Sequence, residues 1–503
     1  MQADDPRSIN FRNAVLARDR DALRSLFNEH PEMSSVVDEP WFDFDMPAIV
    51  HAAAARDRPL VDTLLELGAD IDARSAWANG PYSALHSLVD GADEASLALA
   101  EHLAERGASI DLHAAAGMGR VDVIERILDA EPERVSEPGP DGATPLHLAR
   151  NVTIARLLLK RGAEIDKRCV DHRSTPAMWA TQGREEVMGY LVARGARPDL
   201  FMAVLLNDRE LAAEILEAEP DAIDVRVYPG RSHEHLGFGD KYVWTLGGAD
   251  TPLELARHHG YREVYEFLLE RSGPGRRLVQ ASRRSDTDAI DELTAREPGL
   301  LGRLDERDVC EALYGSVEGA RRLLEHGADP SARDDRAGAT ALHHAAWQGL
   351  AELASVLLDG GADASIRDHN YSSTPLGWAN ESGQTELMDL ILLRHQPDVV
   401  DAAWLGDADR VRVLLARDAS LVDGLDGGRV SPLRSAAWCG HLDVVKVLLE
   451  YGADAAMPNP ENGKTALDFA RERGHEEIVA LLRPDGDGMR FERFEPRPGS
   501  DRS

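Results

Sequence analysis

Cysteine is nearly absent from the chain: three in 503 residues, Cys169, Cys310 and Cys439, far apart and with no CxxC pair. Such spacing excludes a disulfide framework and a zinc knuckle, and it fits a reducing cytoplasm. Aromatic residues are only 5%. Positive charge is short as well: 56 Lys plus Arg face 89 Asp plus Glu, a net charge of −33. A surface that acidic repels phosphate backbones, so nucleic acid is not an expected partner. Only five of the basic residues are lysines, at 160, 167, 241, 446 and 464; this arginine bias, with abundant Ala, Gly and Asp, has the codon signature of a high-GC bacterial genome. No window reaches 18 uninterrupted apolar residues, so no membrane span is expected. The first residues, MQADDPRSINFRNAV, lack a basic segment followed by an apolar one and do not read as a secretion signal. What remains is 43% hydrophobic, enough for a packed core.

What the chain has in quantity is repetition. Thr144-Pro-Leu-His-Leu-Ala149 returns as Thr175-Pro-Ala-Met-Trp-Ala180, Thr251-Pro-Leu-Glu-Leu-Ala256, Thr340-Ala-Leu-His-His-Ala345, Thr374-Pro-Leu-Gly-Trp-Ala379, Ser431-Pro-Leu-Arg-Ser-Ala436 and Thr465-Ala-Leu-Asp-Phe-Ala470. A second phrase follows about 20 residues after such openings: LLELGAD to Asp70, LAERGAS to Ser109, LLKRGAE to Glu164, LLEHGAD to Asp329, LLDGGAD to Asp363 and LLEYGAD to Asp454. Thr340 to Thr374 is 34 residues and Gly162 to Gly195 is 33. The Thr or Ser hydroxyl caps a helix, and Pro occupies the first helical position, where no N–H is needed. The small Ala pair lets first helices stack closely; Gly ends the second helix in a left-handed conformation, and Asp favours the turn that follows.

This pattern resembles the ankyrin repeat, whose T-P-L-H-x-A signature and 33-residue period it shares, over nearly the whole chain. The resemblance implies an all-α solenoid of helix pairs, with first helices on a concave, ligand-contacting face. It also implies that His51, His86, His113, His147 and His343 are structural. A second class of unit lacks the Thr-Pro opening and its exposed turn: Asp111-Leu-His-Ala, Asp199-Leu-Phe-Met and Asp398-Val-Val-Asp start helices directly, and segments 11–37 and 277–304 look like divergent members. Counting both classes gives about 15 helix pairs between residues 8 and 483. The expected organisation is one continuous array over 1–483 and a frayed tail over 484–503.

Departures from the period point toward function. Thr144 reaches Gly162 in 18 residues where Ser431 reaches Gly452 in 21, so one helical turn is missing. Ser83 takes 24 residues to reach Gly107, one turn more. Residues 226–249 form an insertion rich in Gly and aromatics, long enough to be functional. Its alternation Lys241-Tyr-Val-Trp-Thr-Leu246 predicts a strand in a β-hairpin finger.

Counting from the motif Thr as position one, Trp347, Trp404 and Trp438 fall at position eight, and Trp179 and Trp378 at position five. A row of tryptophans there predicts an apolar groove able to anchor a partner, with His258 as a polar contact. The finger contributes His233, His235, Tyr242 and Trp244. Trp41, Phe42, Phe44, Trp77 and Tyr82, beside Asp38, Glu39, Asp43 and Asp45, read as an acidic aromatic cradle. Arg271, Arg276, Arg277, Arg283 and Arg284 surround SGPG at 272–275, which reads as a joint.

No motif for catalysis appears: no P-loop, no GxGxxG after a strand, no GxSxG. His233-Glu234-His235 lacks the four-residue spacing of a zinc-protease helix, so neither metal nor cofactor is expected. The expectation is a non-catalytic cytoplasmic scaffold or adaptor that binds a protein or peptide, favouring basic partners, through the tryptophan groove and finger residues. The alternative is an enzyme or small-molecule binder with a pocket between the 226–249 insertion and the concave face.

Overall fold

A computed structural model describes residues 5–78, 80–90, 93–227, 241–246, 251–425, 430–460 and 463–483. Among these, regular structure is helical, with isolated bridges such as Arg74 to Ser83 and Arg333 to Thr340 closing exposed turns. The chain divides into two compact units, Met1–Arg271 and Ser272–Ser503, parted at the SGPG segment.

Each unit is built from short antiparallel helix pairs. Among the described residues the first unit holds seven, opening at Pro6, Ala48, Ala84, Leu112, Pro176, Leu200 and Pro252, and one further repeat, opened by Thr144, that keeps only its second helix, Val152–Lys160. The second holds seven, opening at Pro274, Glu306, Ala341, Pro375, Val399, Pro432 and Ala466. The expected capping chemistry is in place. Thr374 and Ser431 accept from the backbone N–H of Gly377 and Arg434. In the units without an exposed turn, Asp111, Asp199 and Asp398 do the same for Ala114, Met202 and Asp401. Where a glycine follows the second helix it is left-handed, as at Gly68, Gly162 and Gly452, and an Asp two residues beyond accepts a turn N–H, as Asp70 does from Asp72 N–H.

Consecutive units are stitched by the same chemistry. The Asp70 N–H donates to Asp38, and the Asp454 N–H to Asp423, each carboxylate lying one unit earlier. Small side chains such as Ala345, Ala346, Ala379, Ala402, Ala403, Ala436 and Ala437 are buried where first helices meet. One continuous apolar core runs through the first unit, and the second carries a core over 278–391 and another over 399–482.

Two irregularities differ from regular repeats. Thr144–Ala149 forms turns and no helix, the physical expression of the missing turn. Its free carbonyls are taken by Arg184 of the next unit, buried, which donates to the oxygens of His147 and Ala149 and to that of Trp179. The second concerns the insertion: Tyr242–Thr245 is one helical turn, and the expected strand is not there. Tyr242 and Leu246, four residues apart and so one above the other on a helical turn, are both buried.

A candidate aromatic groove

Five successive first helices of the second unit carry the candidate site: Ala341–Gln348, Pro375–Glu381, Val399–Leu405, Pro432–Cys439 and Ala466–Glu472. Their Ala faces are buried against one another, which turns position eight away from the core. Trp347, Trp378, Trp404 and Trp438 together line a groove of about 760 Å³, joined by Tyr371 and Phe469. Trp347 is 51% exposed and Tyr371 72%; Trp378, Trp404, Trp438 and Phe469 are half-buried. Trp347 meets Trp378 edge to face at 6.0 Å, and Trp438 meets Phe469 the same way at 5.5 Å, the geometry aromatic quadrupoles favour.

Three of the tryptophans are anchored from outside the groove, Trp378 by its indole and Trp404 and Trp438 by their backbones. Asp368, buried at the base of an exposed turn, accepts from the Trp378 Nε1–H at 3.0 Å and from the backbone N–H of Asn370, Tyr371 and Ser373. One carboxylate therefore sets both Trp378 and the turn that presents Tyr371. The backbones of Trp404 and Trp438 are fixed by the following units: His441 Nε2 and His475 Nε2 donate to their carbonyls at 3.0 and 3.1 Å. This close approach requires glycine. At Gly406 and Gly440, both left-handed, a Cβ would stand 2.8 and 2.6 Å from the rings of His441 and His475.

The groove is electrostatically uneven. At the end near Trp438 and Phe469, Arg473 lies 4.1 Å over the Trp438 ring, and Arg434 and Lys464 lie 5.9 and 6.0 Å over Phe469. Glu381, exposed on the rim, faces Arg473 at 3.7 Å. At the other end, Trp347 and Tyr371 stand open.

The remaining predicted residues lie elsewhere. Trp179 is 2% exposed and does not line a groove. Lys241 covers it, with its ammonium 3.8 Å from the ring and 3.3 Å from Asp90; this cover separates Trp179 from Trp378, its equivalent by position. Tyr242 is buried and donates to Asp199 at 2.5 Å, while burial and that carboxylate push its phenol up. Lys241 and Tyr242 thus fasten the insertion down. His258 is exposed and belongs to the first unit. His233, His235 and the rest of 228–240 lie outside the described residues, as does the Trp244 side chain. In the cradle, Phe42 is buried against His51 at 4.8 Å, and Phe44 and Trp77 meet at 5.3 Å. Arg276 of the basic patch is buried between Asp308 and Glu311. Counting Trp alone missed Phe469, which holds position five of its own unit, and Tyr371, which comes from a turn.

Among the described residues, no helix is long and apolar enough to cross a membrane. Residues 112–202 and 309–402 match the family described as ankyrin repeats (3 copies), and residues 403–470 match ankyrin repeats (many copies). The chain is 36% identical over 86 residues to ankyrin repeat and SAM domain-containing protein 6 of Mus musculus, and 33% identical over 107 residues to its Rattus norvegicus counterpart. These stretches cover 16% and 19% of this chain and only 10% and 12% of the relatives.

Proposed function

This chain belongs to the ankyrin-repeat family, and from that premise we propose that it is a non-catalytic scaffold whose second unit grips a segment of another protein in its aromatic groove. Ankyrin repeats generally mediate protein–protein interaction, which supports the coarse assignment. The observation that carries the finer one is the convergence of Trp347, Trp378, Trp404 and Trp438, with Tyr371 and Phe469, on one groove. Tryptophans with fixed backbones offer large contact area at small entropic loss, the profile of interface hot spots. The partner segment carries apolar or aromatic anchors seated between the indoles. Its acidic groups, where present, lie toward Arg434 and Arg473, and its basic ones toward the open Trp347 end, where ring faces stand free for cations. The net charge of −33 steers basic partners to the surface before docking.

The test selects peptides from a random display library on the full chain and measures their affinity for variants. Trp347→Ala and Trp404→Ala should each weaken the selected peptides by about 30-fold, the effect of truncating a hot spot worth about 2 kcal/mol. Circular dichroism checks that the fold is kept. Peptides that bind wild type and the double variant equally would remove the groove from recognition.

A further inference from the structure

Three exposed turns of the first unit converge although they are not consecutive in the array. Tyr82 precedes the unit capped by Ser83, Asp141 precedes Thr144, and Asp171 and His172 precede Thr175. Between the first two stands the unit opened by Asp111, which has no such turn. Its absence lets Gly80 press on Gly139 and Pro140, where a Cβ would lie 2.7 Å from the Gly139 oxygen. Asp141 in turn fixes the next turn through its backbone carbonyl, which accepts from Val170 N–H at 2.9 Å and Asp171 N–H at 3.0 Å.

The side chains that meet there form a donor set. One ligand atom from each of Asp141, Asp171 and His172 can be chosen so that all lie within 4.8 Å of one another. His172 Nε2 stands 3.8 Å from Asp141 and 3.7 Å from Asp171. Those gaps are too long for hydrogen bonds. They are close to the spacing of about 3.4 Å that neighbouring donors adopt around a tetrahedral ion with bonds of about 2.1 Å. A second observation is the charge left uncompensated. Asp141 is 6% exposed, and among the described residues no lysine or arginine pairs with it; the nearby cation, Lys241, reaches Asp90. Among the described residues, the buried Oδ1 of Asp90 has no hydrogen-bond partner. Tyr82 donates to Asp141, the outer-shell contact that orients a ligating carboxylate.

We propose that Asp141, Asp171 and His172 bind a divalent transition-metal ion of the zinc type, which clips two successive turns of the first unit together. Imidazole with carboxylates suits such an ion, and Tyr82 acts as a positioning residue.

The test uses the untagged full chain, stripped with chelator and dialysed. Zn²⁺ is titrated calorimetrically, and Co²⁺ is followed by its visible absorption. Wild type should take up one ion at this site and show a thermal midpoint raised by Zn²⁺. His172→Ala and Asp171→Asn, at half-exposed positions, should lose that uptake while keeping the helical circular dichroism spectrum, and Tyr82→Phe should bind about 10-fold more weakly. If wild type takes up no more Zn²⁺ or Co²⁺ than His172→Ala, the site is a histidine set between two carboxylates and the proposal fails. Equal affinity in Asp171→Asn would overturn it too.

Discussion

His147 and His343 hold the fourth position of their units. The Nδ1 of each lies 2.9 Å from the hydroxyl of the capping Thr, and each Nε2 donates at 3.1 Å to a carbonyl of the next unit, on Ser174 and Ser373. Burial pushes both imidazoles down to about 4. The sign follows from where the proton goes. Above about 6.5 both rings are neutral in the folded and unfolded chain, so their contribution does not change with pH. Below that, the unfolded chain takes up protons that the folded one refuses, and stability falls until about pH 4. Each ring accounts for on the order of 3 kcal/mol of that loss. Urea midpoints between pH 7.5 and 4.5 should therefore decline, and His343→Gln should flatten the curve. An unchanged slope would show that His343 takes no part. The histidines are legible in sequence because their partners are three residues away or one repeat on.

The truncated unit at Thr144 shows an element shortened and repaired from outside. Losing a helical turn leaves carbonyls without intrahelical donors, and the Arg184 guanidinium covers those of His147 and Ala149. Arg184→Met should destabilise the chain by about 2–4 kcal/mol, because buried acceptors lose their donors. Arg184→Lys should recover less than half, since an ammonium lacks the planar fork. Urea unfolding at pH 7.5 measures both; a loss below about 1 kcal/mol would contradict the bridging role. The shortening could be counted from Thr144 to Gly162, but the repair could not, because it joins residues that no period relates. The six residues Lys241–Leu246 satisfy a spacing of two and of four alike, and only the surface they meet decides between them. In the same way, Trp179 and Trp378 share a position, and a lysine from the insertion buries one of them.

At the scale of the whole molecule, acidity and architecture are linked. Many aspartates are caps and stitches: Asp57, Asp93, Asp208 and Asp407 cap second helices, and Asp38 and Asp423 accept from the following unit. Part of the net charge of −33 is thus a consequence of building an array with aspartate as the capping residue, and the rest of the surface inherits the repulsion. Raising NaCl from about 0.01 to 0.15 M shortens the screening length from about 30 to 8 Å. It should raise the thermal midpoint by about 2–4 °C, the equivalent of about 1 kcal/mol in a unit of this size. A midpoint that falls with salt would mean that ion pairs such as Arg322 with Asp291 outweigh the repulsion. The repeat architecture was legible throughout, since caps, small faces and glycine ends are local. The convergence of Tyr82, Asp141 and His172 was not, because it depends on a unit that omits its turn.

The histidines that hold the Trp404 and Trp438 carbonyls belong to the units that follow them. Both of these units therefore arrive with their tryptophan and leave the fastening to their successor. Recombination at unit boundaries could lengthen or shorten the groove by one aromatic at a time without redesigning any joint. The site can evolve in whole-number steps, with partner length as the variable under selection.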